Sequence, residues 1–176
     1  AELAALDSDS SLLLLFGTSG LIDQPDRIAQ VMAACPRSHV MGCSTAGEIH
    51  GAEISDDSLV VAAVRFEKTR LITTHAAVHN PKDSYAAGQA IAASLQNPAL
   101  RGLLVLSDGL HVNGSELVKG LNDTLGGAVV VTGGLFLVPH VPDLAAVRGG
   151  QDADLVAEPQ GEGLAVGTED QPSKRL

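Results

Sequence analysis

Apolar residues in this chain come in short unbroken runs closed by glycine or proline, alternating with stretches whose apolar positions recur every three to four residues. The first pattern belongs to strands buried on both faces, the second to amphipathic helices. Ser11 to Gly17, SLLLLFG, reads as a buried strand. Asp23 then offers an N-cap with Pro25 in the first turn, and Ile28, Val31, Met32 and Cys35 fall at helical spacing until Pro36 ends the helix. His39 to Gly42 is a second short strand, opening into the loop GCSTAGEIHG at 42 to 51. Leu59 to Phe66 and Leu71 to Val78 are strand-like runs separated only by EKTR, so short a link that it predicts an antiparallel hairpin. Asn80, Pro81 and Asp83 start another helix, with Tyr85, Gly88, Ile91, Ala92 and Leu95 on its apolar face and Asn97 and Pro98 as its stop. Leu103 to Leu106 is again a bare apolar strand. Asn113 stands three residues before Glu116, a capping-box-like start to a helix that turns Leu117, Val118, Leu121 and Leu125 inward, and AVVVTGG returns as a strand. This alternation predicts an α/β domain: a mixed sheet with mostly parallel core strands, helices packed on it, and an antiparallel hairpin.

Beyond residue 135 the periodicity stops. Residues 136–176 contain Pro139, Pro142, Pro159 and Pro172, half of the eight prolines in the chain, with acids outnumbering bases. The pattern predicts one α/β domain over 1–135 and a poorly ordered tail over 136–176, in which GLAVG at 163–167 offers one further strand.

Composition narrows the classes of function. With 176 residues and 45% hydrophobic content the chain can bury one sizeable core. Eleven basic against twenty-one acidic residues give a net charge of -10, which repels nucleic-acid phosphates and anionic membrane surfaces. Three Phe, one Tyr and no Trp leave little to stack on bases, so no nucleic-acid partner is expected. Cys35 and Cys43 are the only cysteines, which excludes a disulfide framework and favours a reducing, cytoplasmic setting. Unbroken apolar runs such as Leu12 to Phe16 fall far short of the ~20 residues that cross a bilayer, so no membrane partner is expected. The absence of an opening Met is what a piece of a longer or processed product would show.

Three of the buried strands are followed at once by small, polar, glycine-bearing stretches: GCSTAGEI, SDGLHVNGSEL and TGG. In open α/β sheets ligands bind outside the carboxyl ends of the strands, where loops are free and helix N-termini point their amides at the cavity. The first loop offers Cys43, Ser44, Thr45 and Glu48. A nucleophilic Cys43 needs a base, which His39, His50 or His111 could supply in space; a small buried cysteine at a strand end is the plainer reading. Ser44 and Thr45 are either donors to a ligand or caps of the turn, and Glu48 either meets a ligand ammonium or is a solvated loop carboxylate. In the second loop Gly109 permits a tight path, Asp108 is either site chemistry or a turn lock, and Asn113, Gly114 and Ser115 open a helix whose free amides suit an anion. Glu116 is expected to be consumed by the cap. Thr132 and Gly133 belong to the third loop. His75, His79 and His140 lack metal-ligand spacing, and GTSG at 17 to 20 lacks the lysine of a phosphate loop, so neither metal nor cofactor is expected.

GCSTAGEI at 42–49, SDGLHVNGSELVKGLN at 107–122 and VTGG at 131–134, in this order after an LLLFG strand, resemble the N-terminal part of the FIST sensory domain family over about residues 11 to 135. The resemblance implies a bacterial intracellular input module that binds small ligands such as amino acids and does no catalysis. The partners it implies are a FIST C-terminal domain or signalling output domains, neither of which lies within this sequence. After Gly134 the family pattern continues with a GDG loop, whereas FLVPHVPDLAAVRGG follows here, as a truncated or frame-shifted gene would produce. The expected function is therefore small-ligand sensing through Cys43, Ser44, Thr45, Glu48, Asp108, Gly109, Asn113, Gly114, Ser115, Thr132 and Gly133. Its rivals are an enzyme using Cys43 as nucleophile in acyl or thiol chemistry, and a protein-interaction module with an acidic surface.

Overall fold

The computed structural model describes residues 2–18, 25–136 and 162–170. In chain order the elements are β1 (Ser11–Thr18), α1 (Pro25–Ala34), β2 (His39–Thr45), β3 (Glu48–His50), β4 (Glu53–Ser55), β5 (Leu59–Arg65), β6 (Thr69–Ala77), α2 (Ser84–Ser94), β7 (Leu100–Asp108), α3 (Gly114–Leu125), β8 (Val130–Phe136) and β9 (Glu162–Asp170). Short 3-10 turns precede β1 and α2. The fold is α/β with parallel and antiparallel pairing. One sheet runs β2-β1-β5, a second runs β6-β9-β7-β8, and β3 and β4 form a separate two-stranded hairpin. Pairing is parallel in β1–β2 and β7–β8 and antiparallel in β1–β5, β6–β9 and β7–β9.

The alternation of side chains along each strand sorts the core into three clusters. Leu13, Leu15 and Val40 face α1 and pack with Met32 and Cys35. Leu12 and Met41 face the other way and meet Leu71 and Leu106 of the second sheet, with Leu14, Phe66, Leu104 and Phe136 around them. Leu103 and Val105 point outward from the second sheet onto Ala87, Ile91, Ala92, Leu117 and Leu121 of α2 and α3. The layers are thus helix, sheet, sheet, helices, with β1 and β7 apolar on both faces, which accounts for their unbroken apolar runs.

The expected pairing of 59–66 with 71–78 is corrected: these two segments do not form a hairpin. β5 pairs with β1 and β6 with β9, so they lie in different sheets. Phe66 continues the β1 ladder through its N–H to the Ser10 carbonyl, and the chain then crosses to the opposite layer, where Leu71 faces Leu12 and Met41. A short link makes the hairpin the local optimum, but the ladders that form join each segment to a strand elsewhere in the chain. The hairpin that does form is β3–β4, with Ile49 opposite Ile54.

The helices form where the spacing predicts. Ile28, Val31, Met32 and Cys35 of the α1 region all join its cluster. Val118, expected inward on α3, is instead exposed, because Leu117 and Leu121 already define the buried face. α2 and α3 touch backbone to backbone. A Cβ on Gly88 would run into the Leu117 carbonyl oxygen, and one on Gly120 into that of Tyr85. Gly126, with φ +68°, takes the left-handed turn that ends α3.

Most of 136–176 lies outside the described residues, but GLAVG at 163–167 lies within β9. This strand is inserted between β6 and β7 and is hydrogen-bonded to both. Deleting residues 137–176 strips the inner edges of β6 and β7 of their partners. The shortened chain is expected to show a lower Tm and new binding of a hydrophobic dye. Gly120→Ala is expected to cost about 1–3 kcal/mol, since two rigid backbones must separate, lowering Tm by several degrees in a thermal melt.

Candidate functional site

The two facing sheets bring the carboxyl ends of four strands to one edge of the molecule. His39 Nδ1, at the start of β2, lies 3.4 Å from Thr73 Oγ1 in β6. At the other end the Phe16 and Phe136 rings meet with centroids 6.3 Å apart. Phe16 is the register partner of Cys43, and Phe136 that of Asp108. The ends of β1, β2, β7 and β8 therefore converge, the arrangement in which loops of an α/β protein form a site. The loop after β7 is tied to the same edge, because Gly109 N–H donates to the Phe136 carbonyl at 2.7 Å.

Glu48 opens β3 and is 2% exposed. Its Oε1 accepts from Thr45 Oγ1 at 2.7 Å, and its Oε2 from Ser58 N at 3.1 Å and Ser58 Oγ at 2.8 Å. Burial pushes this carboxyl up, but the donors at Thr45 and Ser58 outweigh it and hold the group below the usual carboxylate range. The charge clamps the end of β2 to the entry of β5. Ser58, ten residues on in the chain, gave no sign of this role in sequence.

Asp108 ends β7 and is 5% exposed. Its Oδ1 accepts from Leu110 N at 2.7 Å, a local turn lock, and its Oδ2 lies 2.6 Å from His111 Nδ1. The His111 side chain is 59% exposed. The sequence signal for this pairing is the place of His111 three residues after a carboxylate at a strand end, beyond its expected role as a base for Cys43. Asn113 caps α3 as expected, its Oδ1 accepting from Glu116 N at 3.3 Å. The reciprocal half of the box is supplied otherwise: Asn113 N–H donates to Ser84 Oγ at 2.9 Å, which joins the start of α3 to that of α2. Gly114 lies against Leu135 of β8, and Ser115 is exposed in the first turn of α3.

Cys43 shares the face of Met41 toward the second sheet and is half-buried, whereas Ser44 is buried on the opposite face. Burial pushes the Cys43 thiol up to about 11. At neutral pH it is a thiol, not the thiolate that nucleophilic chemistry uses. Thr132 and Gly133 sit within β8, opposite Leu104 and Val105. Thr132 thus lies about 13 Å and Gly133 about 10 Å back along the strand from the Asp108 level, at 3.3 Å per residue. Gly133 has φ +148°, and a Cβ there would overlap the Val105 carbonyl, so packing alone demands glycine. The residues gathered at the strand ends are thus Cys43, Thr45, Asp108 and Gly109, with Asn113, Gly114 and Ser115 on the adjoining start of α3. Among the described residues no cluster of His, Cys, Asp and Glu fit for a metal occurs, and no helix is long and apolar enough to cross a membrane.

The Glu48 clamp carries a pH dependence of definite sign. Its carboxyl is held lower in the folded chain than in the unfolded one, so its contribution is complete above the ordinary glutamate value of about 4.3 and is lost as pH falls through the folded value. Glu48→Gln is expected to cost about 1.5–3 kcal/mol at pH 7, the worth of a hydrogen bond to a charged group. Denaturant melts at descending pH should show the wild-type and variant curves approaching each other in acid.

No curated protein matches the chain. The family model described as FIST N domain matches residues 11–136, the stretch that holds β1 to β8 and all the side chains of the strand-end site. That family is one of sensory domains in signal transduction. By this match the chain belongs to the FIST N domain family.

Proposed function

We propose that this chain is the small-ligand-binding part of an intracellular sensory module, taking an amino acid or similar small polar metabolite at the carboxyl ends of β1, β2, β7 and β8. The observation that carries the reading is the convergence of those ends at the Phe16–Phe136 contact, with Cys43 and Asp108 as the neighbouring residues in register. Membership in a sensory family supports the role. Glu48 and Asp108 hold the two loops in shape, and the first turn of α3, at Gly114 and Ser115, offers amides to a ligand carboxylate. A FIST C-terminal domain or a signalling output domain is the partner that such a module would drive.

The Asp108–His111 pair also has the form of an oriented general base, which is the observation on the side of an enzyme. A thiol pushed up to about 11 is the wrong nucleophile for it, and binding without catalysis is the better reading. The two readings separate at one residue. Cys43→Ser should leave ligand affinity within a few fold, and Cys43 should alkylate slowly at neutral pH and faster only in alkali; rapid alkylation at pH 7 would restore the enzyme.

Thermal melts of the chain against the twenty standard amino acids and common metabolites test the proposal. A true ligand at about 100 times its Kd adds roughly 2.7 kcal/mol and should raise Tm by roughly 5–10 °C. No shift with any compound, in this chain or in one extended by a FIST C-terminal domain, would count against small-molecule sensing.

A further inference from the structure

We infer that His111 is the side chain that contacts the ligand's primary ammonium, and that Asp108 is the positioning residue that sets its tautomer. The inference rests on the small-ligand reading of the same strand ends. The obvious partner for a ligand ammonium is the Asp108 carboxylate, but each of its oxygens already accepts a bond and the residue is buried. Oδ1 takes the Leu110 N–H at 2.7 Å and Oδ2 faces His111 Nδ1 at 2.6 Å. The carboxylate side chain is 7% exposed and the imidazole 59%, so the ring stands between the buried charge and solvent.

The geometry dictates what that ring presents. A carboxylate only accepts, so Nδ1 carries the proton and donates to Oδ2. In the neutral ring Nε2 is then a bare acceptor. Among the described residues it has no hydrogen-bond partner, while the paired carboxylate fixes the orientation of the ring. An acceptor of this kind selects a ligand group that carries N–H or O–H and rejects one that does not. The ring is anchored at the strand ends through Asp108, the register partner of Phe136, which meets Phe16 next to Cys43.

Asp108→Asn turns this into a test, because the Leu110 N–H needs an oxygen opposite it. The carboxamide oxygen must stay at the Oδ1 position, its NH2 must then face His111 Nδ1, and that nitrogen must become the acceptor. The proton moves to Nε2, and the ligand's donor meets another donor. Long-range 1H–15N spectra of the full chain at about pH 8, where histidine is ordinarily neutral, are expected to show His111 protonated on Nδ1 in the wild type and on Nε2 in Asp108→Asn. Calorimetric titration then uses whichever standard amino acid gives the largest thermal shift, together with its N-trimethyl form, which keeps both charges but has no N–H. Wild type is expected to bind the trimethyl form at least about tenfold more weakly than the parent. Both Asp108→Asn and His111→Phe are expected to lose about tenfold or more for the parent. The exposed position of His111 makes the second variant informative even if the first fails to fold. An unchanged Kd in His111→Phe, equal binding of the trimethyl form, or an Nε2 proton in the wild type each overturns the inference while leaving the ligand site standing. Failure of the wild type to bind any amino acid or metabolite, as this chain or extended by a FIST C-terminal domain, overturns both.

Discussion

Burial between two sheets is the interaction on which the rest of this structure depends. Leu12 and Met41 on one side and Leu71 and Leu106 on the other close a layer from which water is excluded. Because strands alternate their side chains, this inner layer obliges Leu13, Leu15 and Val40 to find cover under α1, and Leu103 and Val105 under α2 and α3. Four layers follow from one contact. The same contact aligns strand ends that the chain delivers far apart, since Phe16 and Phe136 extend the inner layer to its rim. The candidate site is where that apolar layer runs out and polar loops take over.

At that rim two buried carboxylates do a similar job. Glu48 binds Thr45 and Ser58, and Asp108 binds Leu110 and His111. A charge so enclosed is tolerable only with donors on its oxygens, and each carboxylate therefore fixes the backbone that follows a strand. The two clamps thus order both loops within the folded chain itself.

The contrast between the two glycine-bearing helices and the third loop shows how one residue type serves different ends. Gly88 and Gly120 let α2 and α3 meet at the level of their backbones, and Gly133 lets β8 approach Val105. Gly133, expected as part of a ligand loop, is thus explained by close approach. The join between Ser84 and Asn113 then sets where α3 begins, and with it the position of the loop that carries Asp108 and His111.

What the sequence determined by itself was whatever depends on neighbours within a few residues. The apolar runs of β1 and β7, the helical spacing of Ile28, Val31, Met32 and Cys35, the cap at Asn113 and the polar loops after strands were all legible, as was the family pattern in GCSTAGEI and SDGLHVNGSEL. Partner choice between distant segments was not. EKTR fitted a hairpin between segments that the tertiary structure assigns to opposite layers, because their pairing with β1 and β9 cannot be read in a local window. Likewise the role of Glu48 depended on Ser58, that of Asn113 on Ser84, and that of Asp108 on the orientation of His111. Local chemistry sets what each residue can offer; only the packed chain decides which donor stands opposite which acceptor, because the cost of an unpaired buried group is felt only once water has left.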